Sequence, residues 1–575
     1  PKLNFAEAFF YYIIEAHMEI VRKDTDLLII GGGAAGCFAA VEAKTQSPDL
    51  RCLIVEKAHI DRSGCLAMGL NAINAYLHPG ESPESYLDNV KKEFMGLVRE
   101  DLILSIARGL NDTVKKVEQW GLPIEKGTNG GYKPRGRCAI RIIGERLKPI
   151  LAEAVRKHRV EVLNRVAVTN LILKGGRVVG AFGLGVRDGN LYVIRARGVI
   201  VSTGGASGLY KPPNPGNARH LMWYCPWNVG TGYAIGLRAG AEMTSFENRF
   251  IALRVKDVQA PTGTLALGAG ARQVNARREP YLEKYYKDSP IRDSPTYFRL
   301  LSTVLENRSG RGPCYLDLSH IDTRTVRQFK EDLLNMSPSM LLTLASRDVR
   351  DYRFEITGSE PYVVGGHGEA GYWVDVERRT TLQGLYAAGD VAGGAPKKYV
   401  SGCWVEGQIA ARSAIKEITK GVPPSIDEAL IKKEQTRVEM PGKRKDGIPP
   451  QEMEERLQKI MDEYAGGLST QYELNEEKLM AGRALLNELK AGTSYLKAEN
   501  YHELVSCMEV VDRIDVARVV VEHLLYRRET RWPCSQTRLD YPRRDDARWL
   551  KFINSVMDAN TGEIRILERG LSGKD

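Results

Sequence analysis

The chain lacks the cysteine spacing that marks metal-binding proteins. Its nine cysteines stand at positions 37, 52, 65, 138, 225, 314, 403, 507 and 534, and no two of them form a C-x-x-C pair. Structural zinc sites and iron–sulfur clusters usually take closely spaced cysteines, so no metal is expected in this chain. An odd, dispersed set of cysteines in a chain of 575 residues indicates reduced thiols and a cytoplasmic protein.

Long apolar runs are also missing. No segment is long enough to cross a bilayer, and the aromatic-rich opening, residues 5–21, is interrupted by three glutamates and lacks the features of a signal peptide. That opening is interpreted as a packed N-terminal helix, with a partner-binding helix as the alternative. The net charge of +10 suits anionic substrates or an acidic partner. No nucleic-acid motif or interleaved basic–aromatic patch accompanies that charge, so nucleic acid is not expected as a partner.

A dinucleotide fingerprint is present near the start of the chain. The apolar run Leu27–Ile30 predicts a strand that leads directly into Gly31–Gly36, followed by a helix of small residues. A second apolar strand, Cys52–Val55, ends at Glu56. Strand, glycine loop, helix, strand and acid in this order predict a nucleotide site in a Rossmann-like fold.

Each glycine of the fingerprint has a distinct role. Gly31 permits the tight turn, Gly33 lets backbone N–H groups approach a pyrophosphate, and Gly36 lets the helix pack closely on the strand. The helix N-terminus attracts the anion. Glu56 lies where a carboxylate can bind the ribose hydroxyls.

A late segment returns to this pattern. Residues 384–394, GLYAAGDVAGG, predict a short strand followed by Gly389-Asp390 and then a helix that opens near Glu406. In flavoproteins such a segment places its aspartate on the ribityl chain, and Gly204-Gly205 offers another close backbone approach. The second closure indicates FAD rather than NAD.

The fold class expected is α/β + α, with a discontinuous Rossmann-like FAD-binding domain, an inserted capping domain and a C-terminal helical domain. The segments Val160–Leu163, 172–185 and 191–194 are predicted as strands of a β-meander, and Thr325–Asn335 as a helix. The expected boundaries are 1–250 and 361–435 for the FAD domain, 251–360 for the cap, 436–527 for the helical domain and 528–575 for a partner-contacting tail. A basic linker at residues 437–445 is expected before the helical domain.

Several longer stretches carry a resemblance to one family. They include RSGCLAMGLNAINAYL (62–77), TGYAIGLRAGAEMTSFENRF (231–250), PYVVGGHGEAGYWV (361–374), SGCWVEG (401–407) and YRRETRWP (526–533). With these, the chain resembles the flavoprotein α subunit of dissimilatory adenylylsulfate (APS) reductase, within the fumarate reductase/succinate dehydrogenase flavoprotein superfamily. The resemblance implies an FAD enzyme of sulfur metabolism that converts APS to sulfite and AMP, or the reverse, through a flavin N5–sulfite adduct.

Two departures from the superfamily sharpen this expectation. Succinate-type enzymes carry a histidine after Arg-Ser that binds the flavin covalently, whereas here Gly64 follows Arg62-Ser63. The dicarboxylate motif F-H-P-T-G is also missing. Noncovalent FAD and a substrate other than a dicarboxylate are therefore expected.

The resemblance implies roles for individual residues. Arg254 and His367 are expected to donate hydrogen bonds to sulfate oxygens, Asn74 and Glu145 to orient the sulfate, and Trp223 to carry electrons toward an external cluster. Each has a simpler alternative: a surface ion pair for Arg254, a turn histidine for His367, a helix cap for Glu145 and core packing for Trp223. The implied cofactor-binding residues are Gly31, Gly33, Ala35, Gly36, Glu56, Lys57, Arg62, Ser63, Gly64, Thr203, Gly204, Gly205, Gly389, Asp390, Ser401, Gly402 and Glu406.

The adenylate side and the identity of the substrate are less constrained. Arg299 is expected near the adenylate and Trp404 on the adenine, with core packing as the alternative for Trp404. A basic run at 131–148 contains Lys133, Arg135, Arg137, Arg141, Arg146 and Lys148. Arg141 and Arg146 could accommodate a 3′-phosphate, so phosphoadenylylsulfate (PAPS) is an alternative substrate.

The resemblance also implies a partner that supplies electrons. This would be a ferredoxin-like β subunit with two [4Fe–4S] clusters, giving an αβ heterodimer or a higher oligomer. Arg527, Arg528, Arg531, Arg538, Arg543 and Arg544 are expected to give the tail a positive face for that acidic partner. A fumarate reductase or aspartate-oxidase type enzyme is an alternative function, and a non-catalytic flavin electron-transfer subunit is another.

The glycine at position 64 predicts how the cofactor leaves the protein. Because no histidine is available there to form a covalent link, acid precipitation of the purified protein is expected to leave its FAD in the supernatant, as measured by absorbance. Flavin absorbance retained in the washed pellet would contradict noncovalent binding.

Overall fold

The computed structural model describes residues 18–573, apart from positions 69, 78–79, 136–137, 214–221, 259–261, 288, 290, 293 and 419–420. The N-terminal helix expected over residues 5–21 lies, up to residue 17, outside the described part of the chain. Its last residues were assigned wrongly, because Ile20–Asp24 is a strand.

A five-stranded parallel sheet, here called the central sheet, forms the middle of the molecule. Its strands follow one another in the order Leu385–Ala387, Gly198–Val201, Leu27–Ile30, Cys52–Glu56 and Glu161–Asn164. The predicted strand at 27–30 is confirmed, and its residues are at most 3% exposed, as unbroken apolar runs predict for a parallel strand covered on both faces. The strands at 385–387, 198–201 and 27–30 are neighbours, so their carboxyl ends meet at one edge of the sheet.

Two helices that pack on this sheet contact each other at very short range. The fingerprint helix, Ala34–Gln46, and the late helix, Tyr399–Glu417, meet at Gly407, where an added Cβ would lie 2.2 Å from the carbonyl oxygen of Ala35. The prediction that the late helix opens near Glu406 was wrong, because it begins at Tyr399. Ser401 and Gly402 are weak helix formers and obscured that start in the sequence.

The predicted meander is confirmed, as part of a second sheet, for residues 172–185 and 191–194. It is wrong for residues 160–163, because Glu161–Asn164 is the edge strand of the central sheet and pairs in parallel with Cys52–Glu56. The antiparallel strands of the second sheet are Val166–Lys174, Arg177–Gly185 and Leu191–Arg195. The strand Ile20–Asp24 pairs in parallel with Leu191–Arg195. That fourth strand was not predicted, because its charged residues interrupt the apolar pattern.

Residues 251–360, the segment expected to form the cap and called the cap below, contain a sheet that the sequence did not predict. Its antiparallel strands follow the order Leu253–Val255, Phe354–Gly358, Cys314–Asp317 and Arg272–Val274. Strands of three to five residues leave too short an alternation to recognise. A separate hydrophobic cluster forms between this sheet and the helix Thr323–Met336, which confirms the predicted helix at 325–335.

The C-terminal part is helical, as predicted, over Pro450–Tyr464, Glu476–Gly492 and Tyr501–Tyr526. The expected linker at 437–445 is partly helical, because the helix Glu428–Glu439 continues into it.

The segment after residue 527 is not the exposed basic tail that was expected. The strands Phe552–Met557 and Ile564–Arg569 form a hairpin that pairs with Met243–Thr244. Arg527, Arg531 and Arg538 are at most 1% exposed. Each is neutralised by nearby acids, with Arg527 bonded to the carboxylate of Glu247 at 2.8 Å. Burying an arginine requires such a partner, so these three residues stabilise the fold and cannot form a surface face.

The remaining helices are Pro83–Glu93, Glu100–Gln119, Leu147–Lys157, Thr231–Arg238, Thr262–Gly268, Leu282–Tyr286, Pro295–Glu306, Pro338–Thr343 and Asp546–Trp549. The remaining strands are Ala72–Asn74, Ala139–Arg141, Gly371–Tyr372, Glu473–Leu474 and Thr537–Arg538. Within the described residues, no helix is both long and apolar enough to span a membrane, and no group of three or more His, Cys, Asp or Glu residues is arranged to hold a metal ion.

The contact between the fingerprint and late helices predicts a sharp difference between two glycine substitutions. Gly407→Ala is expected to destabilise the protein by about 1–3 kcal/mol because its methyl group has no room. Gly492→Ala is the control: Gly492 is likewise a helical glycine, the last residue of Glu476–Gly492, with φ −62°, and the nearest atom to its added Cβ lies 3.8 Å away. This control is expected to be neutral or stabilising by about 0.5–1 kcal/mol. Thermal unfolding of both variants checks this, and equal melting temperatures would contradict the described packing.

Candidate functional site

One cavity of about 850 Å³ brings together most of the predicted site residues. It begins at the carboxyl edge of the central sheet and extends under the cap, a usual place for ligands in open α/β sheets. The predicted residues that line it are Gly31, Gly33, Ala35, Glu56, Lys57, Ser63, Gly64, Asn74, Thr203, Gly204, Trp223, Arg299, His367, Gly389 and Asp390.

The glycine loop forms one end of the cavity. Gly31 has φ +99°, and an added Cβ would lie 2.7 Å from the carbonyl oxygen of Ser202, so no side chain fits there. Gly33 is the N-cap of the fingerprint helix and has no side-chain cap, which leaves the first N–H groups of the helix free for an anion.

Two charged side chains hold this loop in place. Glu56 accepts hydrogen bonds from the N–H groups of Gly32 and Ala58, both at 2.9 Å. Lys148, which is 1% exposed, donates to the carbonyl oxygen of Gly32 at 2.6 Å. Sequence reasoning counted Lys148 only as part of a basic run and missed this buried contact.

The late loop faces the glycine loop across the cavity. Gly389 has φ +83°, and Asp390 accepts a hydrogen bond from the Tyr224 hydroxyl at 2.8 Å. The same hydroxyl accepts from the N–H of Gly205 at 3.1 Å. The loops after the strands that end at Val201 and Ala387 are thereby fixed to one another.

Several buried polar atoms of this cavity have no protein partner among the described residues. They are the hydroxyl oxygens of Ser63 and Thr203 and the Nδ1 atom of His367. Leaving such atoms unsatisfied costs free energy, so they indicate a polar ligand. Together with the glycine cradle and Asp390, they fit the expected FAD.

Other predicted cofactor residues support the cavity without lining it. An added Cβ at Gly36 would lie 1.9 Å from the carbonyl oxygen of Gly31, which confirms its packing role. Ser401 donates to the carbonyl oxygen of Asn74 at 2.9 Å, and a Cβ at Gly402 would lie 2.5 Å from Lys398 Cβ. The N–H of Gly205 donates to the Tyr224 hydroxyl, which holds Asp390. Arg62 is exposed and does not line the cavity.

Glu406 requires a correction. It is fully buried, pairs with Arg378 at 3.1 Å and Lys398 at 3.0 Å, and accepts the N–H of Gly389 at 2.8 Å. Both carboxylate oxygens are therefore bonded within the protein, so Glu406 positions the late loop instead of touching the cofactor.

The end of the cavity under the cap is lined by three cations, Arg135, Arg299 and Lys397. Burial lowers the pKa of both arginines, and for Arg135 the nearby charge of Arg141 adds to that effect. Neither guanidinium forms an ion pair with a carboxylate among the described residues, whereas Lys397 lies 3.6 Å from Glu93. A cluster with this excess of positive charge is suited to an anion.

Arg299 was predicted, but Arg135 and Lys397 were not. Arg135 was one of six basic residues in a run that reads as a solvated face, and Lys397 lies in a loop far along the chain. Only the folding of the cap over the late loop brings the three together.

His367 lies in an aromatic box formed by Trp223, Phe250 and Tyr399, with ring centroids 4.8–5.0 Å from its own. Burial lowers the pKa of His367 to about 4. The imidazole is therefore neutral near pH 7 and provides a hydrogen bond without a positive charge. Trp223 also lines the cavity, and its predicted electron-transfer role stays a prediction.

Asn74 also lines the cavity. Its amide nitrogen donates to the Tyr86 hydroxyl at 3.0 Å and to the carbonyl oxygen of Lys397 at 2.7 Å. These bonds hold the loop that carries Lys397, a positioning role that sequence reasoning did not foresee. Its predicted contact with the sulfate stays a prediction.

Arg254 is not among the residues that line the cavity, although Ala252 and Leu253 are. It is 1% exposed and donates to the carbonyl oxygen of Val258 at 3.1 Å, and its Nη1 atom is buried without a partner. The alternative of a surface ion pair is excluded by this burial. Its donation to a substrate stays a prediction.

Three predicted contacts are corrected. Glu145 and Arg146 lie exposed in a short turn, Gly144–Arg146, and do not line the cavity. Trp404 is fully buried in the core and stacks on Phe38, with ring centroids 5.2 Å apart and planes at 17°. Trp404 is therefore a core-packing residue, which was the simpler alternative. It lies on the face of the late helix that packs against the fingerprint helix.

Comparison with known proteins gives consistent matches over the whole chain. The family description "FAD binding domain" matches residues 26–403, and "Fumarate reductase flavoprotein C-term" matches residues 454–573. The adenylylsulfate reductase subunit alpha of Megalodesulfovibrio gigas is 31% identical, with 96% of each chain covered.

Solved structures agree with these matches. Adenylylsulfate reductase from the hyperthermophile Archaeoglobus fulgidus is 36% identical with a TM-score of 0.90, covering 97% of each chain. An adenosine-5-phosphosulfate reductase in covalent adduct with sulfite gives the same identity and TM-score, over 96% of each chain. The quinol fumarate reductase subunit FrdA of E. coli, at 19% identity and a TM-score of 0.81 over 96% of this chain and 97% of that one, shares the fold.

The unsatisfied hydroxyl of Thr203 predicts opposite effects in the free and cofactor-bound protein. Thr203→Val removes an orphan polar atom, so the FAD-free protein is expected to be as stable as wild type or more so. FAD affinity, measured by titration calorimetry, is expected to fall about five- to tenfold, or about 1–1.5 kcal/mol.

Thr113→Val is the matched control for this test. Thr113 is fully buried and bonds to the carbonyl oxygen of Leu110 at 2.8 Å, outside the cavity. Its FAD affinity is expected to equal that of wild type. Unchanged affinity in Thr203→Val would show that this hydroxyl does not face the cofactor.

Proposed function

Because the chain belongs to the adenylylsulfate reductase α-subunit family, we propose that it binds FAD noncovalently and interconverts adenylylsulfate with sulfite and AMP. The observation that carries this proposal is the two-ended cavity. One end is a glycine cradle for a dinucleotide, and the other is a cationic pocket under the cap. The covalent sulfite adduct of a relative at 36% identity supports sulfur chemistry in a site of this architecture.

The cationic pocket suits the substrate's charge. APS carries a phosphate and a sulfate group joined as a mixed anhydride, and both are anionic. Two unit charges 4 Å apart interact by about 4 kcal/mol at an effective dielectric constant of 20. Arg135, Arg299 and Lys397 together can therefore offset the cost of bringing this dianion into a half-buried site.

The bound FAD would supply the two-electron chemistry at the sulfur atom. The residues of this chain bind and orient the substrate around it. Arg135 and Arg299 fix the anion, and His367 offers one neutral hydrogen bond from within its aromatic box. Because the imidazole carries no charge near pH 7, it does not attract the anion away from Arg135 and Arg299.

The cap excludes water from the cavity. Leu265, Leu267 and Met336 give the cavity an apolar wall on the cap side. Excluding water strengthens each charge–charge contact inside and prevents hydrolysis of the anhydride.

The surroundings of two arginines favour APS over PAPS as the substrate. Arg141 forms ion pairs with Asp332 and, at 3.2 Å, with Glu125, so its charge is neutralised. Arg146 is exposed outside the cavity. Neither is placed to take a 3′-phosphate, and APS is the substrate we propose.

A dicarboxylate enzyme and a non-catalytic subunit have less support. Fumarate reductase and L-aspartate oxidase relatives are at most 25% identical, which supports a common fold and no shared substrate. A non-catalytic electron-transfer subunit would not need a pocket with an excess of positive charge beside its cofactor.

We also propose an iron–sulfur β subunit as the electron-transfer partner, in an αβ assembly. The tail arginines that remain at the surface, Arg528, Arg543 and Arg544, can contribute to an acidic partner's binding. Trp227 is 59% exposed and also lines the cavity, so it joins the cofactor site to the surface. Trp223, which also lines the cavity, has its ring centroid 5.0 Å from that of His367, and we propose it as the inner residue of the electron path.

The role of Arg135 gives the test of this function. Arg135→Gln is expected to lower turnover of the purified complex with sulfite and AMP by about 100-fold, because an uncompensated charge that binds the reacting anion is lost. Reduction of an artificial one-electron acceptor measures the rate.

Arg146→Gln serves as the control, because Arg146 belongs to the same basic run but lies outside the cavity. Its turnover is expected within about twofold of wild type. If Arg135→Gln kept turnover within about threefold, or if both variants lost it equally, the cationic pocket would not be the substrate site.

A further inference from the structure

One wall of the cofactor cavity lies outside the part of the chain that matches an FAD-binding domain. The helix Tyr501–Tyr526 belongs to the C-terminal match, which covers residues 454–573. Four residues of this helix nevertheless line the cavity: Val505, Met508, Glu509 and Asp512. The cofactor residues predicted from the sequence end at Glu406, so this wall was not foreseen.

This wall lies at the adenosine end of the expected dinucleotide. In the dinucleotide fingerprint, the acid at the end of the second strand marks the ribose of the adenosine, and here that acid is Glu56. Lys57 is the next residue and also lines the cavity. Its ammonium group forms an ion pair with Glu509 at 2.5 Å, which joins the end of the strand to the C-terminal helix.

A buried network fixes the inner part of this helix against the cavity. Arg238 forms ion pairs with Asp512 at 2.8 Å and Asp515 at 3.1 Å, and it donates to the carbonyl oxygen of Thr169 at 2.9 Å. Asp512, which is 4% exposed, also accepts from the Thr231 hydroxyl at 2.7 Å. Breaking a buried ion pair leaves an uncompensated charge at a high cost, so this part of the wall is permanent.

The outer part of the helix is held where the cavity reaches the surface. Besides pairing with Glu509, Lys57 donates to the carbonyl oxygen of Trp227 at 2.6 Å. The Trp227 side chain is 59% exposed and lines the cavity. The Lys57 side chain is itself 29% exposed. Because its ammonium group is strongly hydrated and sits on a flexible stem, these contacts can open without unfolding the helix.

We propose that Lys57, Glu509 and the Trp227 carbonyl form a clasp that closes the adenosine end of the cavity and slows the release of noncovalent FAD. The proposal rests on the proposed function, which takes FAD as the ligand. Because Gly64 offers no covalent link, retention of the cofactor depends on noncovalent contacts. Lys57 and Glu509 act as positioning residues, since they hold the wall around the cofactor.

The test measures FAD release from the full-length, FAD-loaded protein. The protein is diluted, and the released flavin is separated by ultrafiltration and measured by fluorescence over time. Glu509→Gln keeps the size of the side chain and removes its charge, whereas Lys57→Met removes both contacts of the ammonium group. Each variant is expected to release FAD about five- to tenfold faster, as the loss of a hydrogen bond to a charged group predicts.

Further variants separate the clasp from a general loss of stability. The double variant Lys57→Met/Glu509→Gln is expected to release FAD no faster than Lys57→Met alone, because the two residues act as one unit. Lys57→Arg restores a cation and is expected within about threefold of wild type.

Glu522→Gln is the control on the same helix. Glu522 pairs with Arg483 at 3.6 Å and does not line the cavity. Its FAD release is expected within about twofold of wild type.

Three results would overturn the clasp while leaving the proposed function intact. They are release within about twofold of wild type in both Lys57→Met and Glu509→Gln, additive effects in the double variant, and release from Glu522→Gln as fast as from Glu509→Gln. A wild-type protein that takes up no FAD would overturn the proposed function and the clasp together.

Discussion

The whole site depends on three loops meeting at one sheet edge with almost no side-chain volume between them. The strands ending at Ile30, Val201 and Ala387 are neighbours in the central sheet. The glycine loop after the first strand approaches Ser202 so closely that no Cβ fits at Gly31. This backbone contact leaves an open cradle. Glu406, Lys148 and Tyr224 fix the loops around it by hydrogen bonds to Gly389, Gly32 and Asp390.

Charge is distributed unevenly between the two ends of that cavity. At the cradle, lysine and glutamate side chains are bonded to backbone and to each other, so partial charges of N–H groups remain for the cofactor. Under the cap, Arg135 and Arg299 have no carboxylate partner among the described residues. Half-buried cations without a carboxylate partner are partly desolvated at a cost, and an anionic substrate that binds both offsets that cost. His367, which is neutral near pH 7, offers the anion a directional hydrogen bond without adding a positive charge.

The sequence predicted what depends on local backbone chemistry and missed what depends on distant packing. The glycine loop and Gly389-Asp390 could be read, because each is a short motif whose conformation only glycine permits. Arg135 and Lys397 could not, because their significance arises only where the cap closes over the late loop. Trp404 was misassigned, since a motif does not tell which face of a helix a side chain occupies. The tail arginines looked like a surface patch, because a string of charges does not show which of them are buried with partners.

We propose that one cavity holds a flavin beside a pocket for a sulfur oxyanion. Adding sulfite to the purified FAD-loaded protein tests it most directly, since the flavin's visible absorbance reports on chemistry at its ring. Sulfite is expected to bleach this absorbance, whereas succinate is expected to leave it unchanged. An unchanged spectrum with sulfite, together with bleaching by succinate, would contradict it.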